Sequence, residues 1–163
     1  MPTLVGQTIR DIAFDEKRQI KMTYWPERWE AAPDWRFDWA DLKFPPDEGE
    51  PVPDAPGVYI FALKPKVFDF LSIGVLYVGK ATSLRSRIRE YIRLIDSDFT
   101  EVPRPHIWMM VNLFNGHLRY CFTTTESVAR AEEVESEMQK ALNPYFCKAR
   151  PAEISARVRA FTN

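Results

Sequence analysis

Apolar residues along the chain fall into blocks whose spacing switches between the two-residue period of a strand and the longer period of a helix. Gly57 to Leu63 is a short apolar run that predicts a strand, and Ile73 to Val78 predicts its antiparallel partner. At about 100° per residue, Leu84, Ile88, Tyr91, Ile92 and Ile95 share one arc. That arc predicts a helix opened by Thr82 or Ser83, both good N-caps. Ile107–Phe114 and Leu118–Thr124 flank Asn115-Gly116, a pair that favours tight hairpins, so two more antiparallel strands are predicted. A last helix is predicted from about Glu126 to Leu142, capped by Thr125 and stopped by Asn143-Pro144. Its apolar seam is Val128, Ala131, Val134, Met138 and Leu142. The pattern as a whole predicts an α+β domain, a small central antiparallel sheet flanked by helices.

The N-terminal third is different. Leu4 to Met22 carries only scattered apolar anchors, Ile9, Ile12, Phe14 and Ile20, and reads as short strands or a short helix. Tyr24, Trp25, Trp29, Trp35, Phe37 and Trp39 follow, with four of the five tryptophans of the chain. Trp35 to Trp39 alternates with period two, as a half-buried strand or extended arm would. These rings either cap the core of the main domain or form an interface for a protein partner or a second copy of the chain. Stacking on nucleic acid is the third reading, and the acidic neighbours Glu27, Glu30, Asp34, Asp38 and Asp41 argue against it. Phe44 to Pro56 holds five prolines and reads as a linker. The expected division is therefore residues 1–52 as an aromatic, acidic extension with its Pro-rich linker, 53–148 as the main domain and 149–163 as a tail. Within that tail, Ala152 to Phe161 has the makings of a short helix.

Charge follows the same division. Residues 1–54 carry 7 basic and 12 acidic side chains, a net −5, whereas the remainder carries 15 and 11, a net +4. An acidic segment thus precedes a basic domain, which favours nucleic-acid contact locally rather than over the whole chain. Two cysteines, Cys121 and Cys147, make no disulfide framework and suit a reducing compartment. The first twenty residues are broken by charges and do not read as a signal peptide, and no run reaches membrane-spanning length. A soluble, cytoplasmic protein without a membrane partner is expected. His106 and His117 sit at the ends of predicted strands, in no spacing that resembles a zinc site, and read as solvated or capping residues.

Candidate chemistry gathers around residues 77–91. Tyr77-Val78-Gly79-Lys80 leads into an arginine-rich helix, with Gly79 permitting a close turn of the backbone. Arg85, Arg89 and Arg93 recur every four residues away from the apolar arc, as a solvated basic face would. Arg87 lies at the edge of the arc, a neighbour of Tyr91 four residues on, where a guanidinium suits a phosphate. On the last helix Glu135 falls inside the apolar seam. A carboxylate there needs an ion pair, a rim position or a metal.

Gly57-Val58-Tyr59, then Tyr77-Val78-Gly79-Lys80-Ala81, with Leu84, Arg87 and Tyr91 at their spacings, resembles the GIY-YIG nuclease family. The resemblance is to the catalytic domain of nucleotide-excision-repair incision nucleases, and it covers Pro56 to about Lys148. It implies magnesium-dependent (or manganese-dependent) endonucleolytic hydrolysis of DNA. In that scheme Tyr59 or Tyr77, its pKa lowered by Lys80 or the metal, activates water. Arg87 grips the scissile phosphate, Tyr91 orients it, and Glu135, nine residues before Pro144, holds the metal. Gly79, Arg85, Arg89 and Arg93 are the further substrate-contacting candidates. Seventeen residues separate Tyr59 from Tyr77, more than is usual in the family, which lengthens the hairpin around Lys64 to Phe70. Cys147 stands where the family carries an asparagine that supports the site. The alternative function is a nucleic-acid- or protein-binding module of the same fold with weak or no cleavage. The form of the DNA stays open.

Overall fold

The computed structural model describes residues 3–4, 7–8, 27, 30, 36–64, 74–98 and 102–147. Two two-residue strands, β1 (Thr3–Leu4) and β2 (Gln7–Thr8), pair antiparallel near the start. The main sheet has four antiparallel strands, β3 (Ala40–Lys43), β4 (Gly57–Leu63), β5 (Gly74–Ala81) and β6 (Leu118–Thr124), in the order β3-β6-β4-β5. Among the described residues, three full helices accompany it: α1 (Leu84–Arg93), α2 (Pro105–Leu113) and α3 (Val128–Leu142). The α+β class expected from the sequence is the class observed.

β4 is central and almost wholly buried, as its near-continuous apolar run requires. Its alternation divides the core in two. Tyr59 and Phe61 face α1 and α2 together with Leu84, Ile88, Tyr91, Ile107, Met110 and Val111. Val58 and Val78 face the other way, onto Ala131, Val134 and Met138 of α3. A bulge between Phe61 and Ala62 lets β5 fit both Leu76 and Tyr77 toward the first of these cores.

The caps are local and legible. Ser83 opens α1, its hydroxyl accepting the Ser86 N–H at 3.1 Å. The next free N–H groups are taken by the preceding segment: Leu84 donates to Ala55 O at 3.0 Å and Arg85 to Pro53 O at 3.1 Å. The cap of α3 is Ser127 rather than Thr125, and the helix starts at Val128 rather than Glu126. Thr125 instead donates its hydroxyl to Ser127 O at 2.8 Å. Asn143 ends the helix in a left-handed conformation, φ 43°.

One predicted element is corrected. Residues 107–113 form a helix and not the first strand of an Asn-Gly hairpin. Pro105 sits at a helix start, where its missing N–H costs nothing. Ile107, Met110, Val111 and Phe114 are all buried, at the i, i+3, i+4, i+7 spacing of one helical face. Gly116, at φ 81°, turns the chain out of that helix toward β6. The buried Asn112 fastens the helix to the end of α1. Its amide donates to Leu94 O at 2.9 Å, and its carbonyl accepts the Asp96 N–H at 2.9 Å.

The fourth strand comes from the N-terminal segment. β3 pairs along β6, with Leu42 opposite Tyr120 and Lys43 opposite Arg119. Phe44 follows it into the core at 0% exposure, 5.0 Å edge-on from Phe61, and Val52 is buried in the same cluster. Asp41 ties this edge with Lys64 and Arg119, whose side chains donate to it. Burial pushes its carboxyl up, but these two bonds and that of Cys121 outweigh it and the pKa lies below the ordinary value. Phe37 and Trp39 pack edge-on at 6.2 Å and lie against the α3 side of the sheet. Trp25, Trp29, Trp35, the tip of the long hairpin and the predicted tail helix lie outside the described residues.

Candidate active site

β5 is an edge strand, and its outward-facing peptide groups need partners. α3 and the turn after it supply them. Leu76 O accepts the Phe146 N–H at 2.8 Å. Val78 O accepts Gln139 Nε2 at 3.1 Å and the Cys147 thiol at 3.4 Å, while the Val78 N–H reaches Cys147 Sγ at 3.5 Å. The Lys80 N–H donates to Glu135 Oε1 at 3.2 Å, and Gln139 Nε2 reaches the same oxygen at 3.3 Å. Glu135 therefore sits at the rim of the apolar seam, clasped against the edge of the sheet. Burial raises its pKa, the Lys80 charge and N–H oppose the rise, and Glu132 adds to it.

The tyrosines lie on the other face. Tyr59 pairs with Gly79 across the sheet, and the Tyr59 hydroxyl meets that of Tyr91 at 2.5 Å. Tyr59 also stacks on Tyr120, with centroids 5.5 Å apart, and lies 6.1 Å from Tyr77. Gly79 is buried beneath these rings. A methyl group on it would stand 2.3 Å from the Tyr59 hydroxyl and 2.7 Å from the Tyr77 ring. The place of Gly79 in the fold is to let two tyrosines approach.

Burial holds Tyr59 and Tyr77 well above the ordinary phenol value, and it raises Tyr91 as well. Lys80 is turned away from them. Three residues from Tyr77 on a strand, it points to the opposite face, and its ammonium pairs with Glu132 at 2.8 Å. Tyr77 is the more accessible phenol, for Tyr59 is 1% exposed.

Arg87 is half-buried beside this cluster. Its Nη1 bonds Glu90 at 2.5 Å, and its Nε is buried without a hydrogen-bond partner. Burial works against its charge, yet the surrounding phenols and Glu90 more than offset this and raise its pKa. Its charge opposes the rise at Glu135, and the charge of Glu135 adds to the rise at Tyr77. Arg89 and Arg93 are exposed, as the sequence indicated. Arg85 is exposed too, but its Nε donates to Val52 O at 2.9 Å and so anchors the linker.

The gathered set is thus Tyr59, Tyr77, Tyr91 and Arg87 on one face, with Glu135 and Lys80 at the edge and beyond it. A family model described as the UvrC-like GIY-YIG domain matches residues 55–148. The chain belongs to that family. "UvrABC system protein C" of Methanosphaera stadtmanae is 34% identical over 101 residues, which is 62% of this chain and 14% of that protein. The chain therefore spans about one seventh of the length of that relative. Among solved structures, the GIY-YIG N-terminal endonuclease domain of UvrC from Thermotoga maritima is similar. A point mutant bound to its catalytic divalent cation aligns with TM-score 0.43 and 20% identity, over 60% of this chain and 88% of that one. The magnesium-bound form aligns with TM-score 0.42 and 21% identity, over 59% and 86%.

Against the GIY-YIG expectation, three contributors were not foreseen. Gln139 is one turn past Glu135, and the i, i+4 spacing was a usable signal. Glu132, one turn before, pairs Lys80. Arg104, from the turn-rich connection, places its guanidinium 5.4 Å from the Tyr91 ring centroid, and no local pattern pointed to it. Among the described residues no group of three or more His, Cys, Asp and Glu side chains could cage a metal. The donor set is instead one half-buried carboxylate with Glu132 nearby. That fits magnesium, which keeps several waters and binds through one or two carboxylates. Among the described residues no helix is long and apolar enough to cross a membrane.

Proposed function

We propose that this chain is a phosphodiester hydrolase acting on DNA, with one divalent cation held at Glu135. The observation that carries the reading is the grouping around β5: Tyr77 lies beside the Tyr59–Tyr91 hydroxyl pair, Arg87 is one turn from Tyr91 on α1, and Glu135 is bonded to the Lys80 N–H at the strand edge. Arg87 has an unpartnered, buried Nε and a planar fork suited to phosphate oxygens. In the reaction it binds the scissile phosphate and stabilises charge on its equatorial oxygens. Burial keeps Tyr77 a neutral phenol, and its hydroxyl orients the attacking water, whose proton passes to solvent as the new P–O bond forms and the bond to the leaving oxygen breaks. The Arg104 charge opposes the effect of burial on Tyr77 without overcoming it. Tyr59 and Tyr91, joined hydroxyl to hydroxyl, hold the floor of the site. A cation at Glu135 would supply positive charge to the oxygen that leaves.

Cys147, which stands where the family carries its supporting asparagine, fastens the turn after α3 to β5, its thiol accepting from and donating to the Val78 peptide. The test is a panel of labelled duplex, flap, branched and single-stranded DNAs, and RNA, incubated with magnesium or with EDTA. Metal-dependent nicking of a DNA substrate is expected. DNA binding without cleavage under any divalent metal would favour the binding-module reading.

A further inference from the structure

Two guanidiniums from different elements end on one carboxylate oxygen at the mouth of the tyrosine cluster. Arg87 Nη1 of α1 lies 2.5 Å, and Arg104 Nη2 of the α2 entry 3.5 Å, from Glu90 Oε2. The arginine side chains are 30% and 34% exposed, and that of Glu90 is 47% exposed. Ion pairs as open as these are weak and exchange readily with other anions. The position of Arg104 is nonetheless well fixed. It stands between Pro103 and Pro105, which restrict its backbone, and its carbonyl accepts both Ile107 N–H at 3.0 Å and Trp108 N–H at 3.1 Å. Its guanidinium lies over the Tyr91 ring.

We propose that Arg104 is a second phosphate-binding residue, which with Arg87 takes a backbone phosphate of the nucleic-acid strand in place of the Glu90 carboxylate. Glu90 is then an internal anion that keeps both forks aligned and is displaced when the strand arrives. A phosphodiester carries the same single charge as the carboxylate but offers more acceptor geometry to two planar forks. With its guanidinium 5.4 Å from the Tyr91 centroid and its Nη2 on the carboxylate that Arg87 also binds, Arg104 borders the same phosphate region. This inference rests on the nuclease reading for its ligand, but not on catalysis.

The experiment measures binding of a labelled DNA duplex to the full chain in EDTA, across a salt series. Arg104→Gln is expected to weaken binding about tenfold at low salt and to reduce the slope of log K against log salt by about 0.9, one phosphate contact. Glu90→Gln is expected to tighten binding several-fold, a gain that a damaged fold does not produce. Wild-type affinity and slope in Arg104→Gln, or no gain in Glu90→Gln, would overturn the proposal. Because no metal is present, the outcome is independent of cleavage. A chain that binds DNA in this way but never cuts it with magnesium refutes the hydrolase reading alone.

Discussion

The backbone N–H of Lys80 donates to Glu135 Oε1 at 3.2 Å, so the candidate metal ligand is registered against the sheet by the peptide of a motif residue. Lys80 thus contributes its main chain to one acidic residue and its ammonium to another, Glu132. Glu135→Gln keeps an oxygen to accept that N–H while removing the charge. The fold and DNA binding are expected to survive, and cleavage to fall at least about 100-fold. Single-turnover cleavage beside a binding isotherm checks this. Wild-type turnover by the variant would remove Glu135 from the site.

Gly79→Ala tests the packing of the tyrosines. The added methyl would stand 2.5 Å from Tyr59 Cζ as well as 2.3 Å from its hydroxyl. The Tyr59–Gly79 pairing fixes both backbones, so a ring must move. Overpacking of this kind costs about 1–3 kcal/mol, and it displaces the Tyr59–Tyr91 contact. A urea titration should show the loss of stability, and cleavage should fall by more than stability accounts for. A variant as stable and active as wild type would show that the rings have room.

Much of this arrangement was legible because the chemistry rides on short-range pattern. The run Gly57–Leu63, the Ser83 cap and the arc through Leu84, Ile88 and Tyr91 are local, and each is where the sequence put it. Residues 107–114 read as a strand because Ile107, Trp108, Val111 and Phe114 beside Asn115-Gly116 have strand-like composition. Their burial follows a helical period, and Pro105 was the telling residue. Ala40–Lys43 was not legible as a strand of the main sheet. Four residues of mixed polarity take their conformation from the exposed edge of β6, a partner far off in sequence. Arg104 reaches Tyr91 and Glu90 only through tertiary packing, which no periodicity encodes.

The arginines of α1 should separate by depth. Arg87 is half-buried, with its Nε inside the protein, whereas Arg89 and Arg93 are exposed. Arg87→Ala is expected to lower the cleavage rate at saturating DNA by about 100-fold or more. Arg89→Ala and Arg93→Ala should instead weaken binding and flatten its salt dependence by about one phosphate each at most, with little change in that rate. Equal losses of the saturated rate in all three variants would contradict the assignment.

Alkaline pH should loosen the edge of β5. Burial pushes the Cys147 thiol from its ordinary 9.0 up to about 11, with the Val78 contact opposing the rise. A thiol whose pKa is raised by folding is held protonated. Its contribution is therefore intact below about pH 9 and lost as pH rises toward 11. The melting temperature is expected to decline over that window. In Cys147→Ala, which starts lower for want of the Val78 bonds, the decline should be shallower. Parallel declines in the two proteins would show that the thiol is not a source of the pH dependence.

The N-terminal segment should be part of the folding unit from β3 onward. Phe44 is fully buried, its ring edge-on to Phe61, and its N–H donates to Leu118 O at 3.0 Å. Phe44→Ala would leave a cavity beside β4 and β6, which costs about 3–5 kcal/mol for a ring of this size. That is a large share of the marginal stability of a small domain. A chain starting at residue 53 would lose the same ring and the whole of β3, and would expose the edge of β6 to pairing with other chains. A chain starting at residue 36 keeps both. The measurement is the melting temperature and oligomeric state of 36–163 and 53–163 beside the full chain. The longer fragment is expected to be monodisperse and to melt within a few degrees of the full chain, and the shorter one to melt well below it or to aggregate. A fragment 53–163 as stable and monodisperse as the full chain would show that β3 and Phe44 are dispensable to the sheet they join.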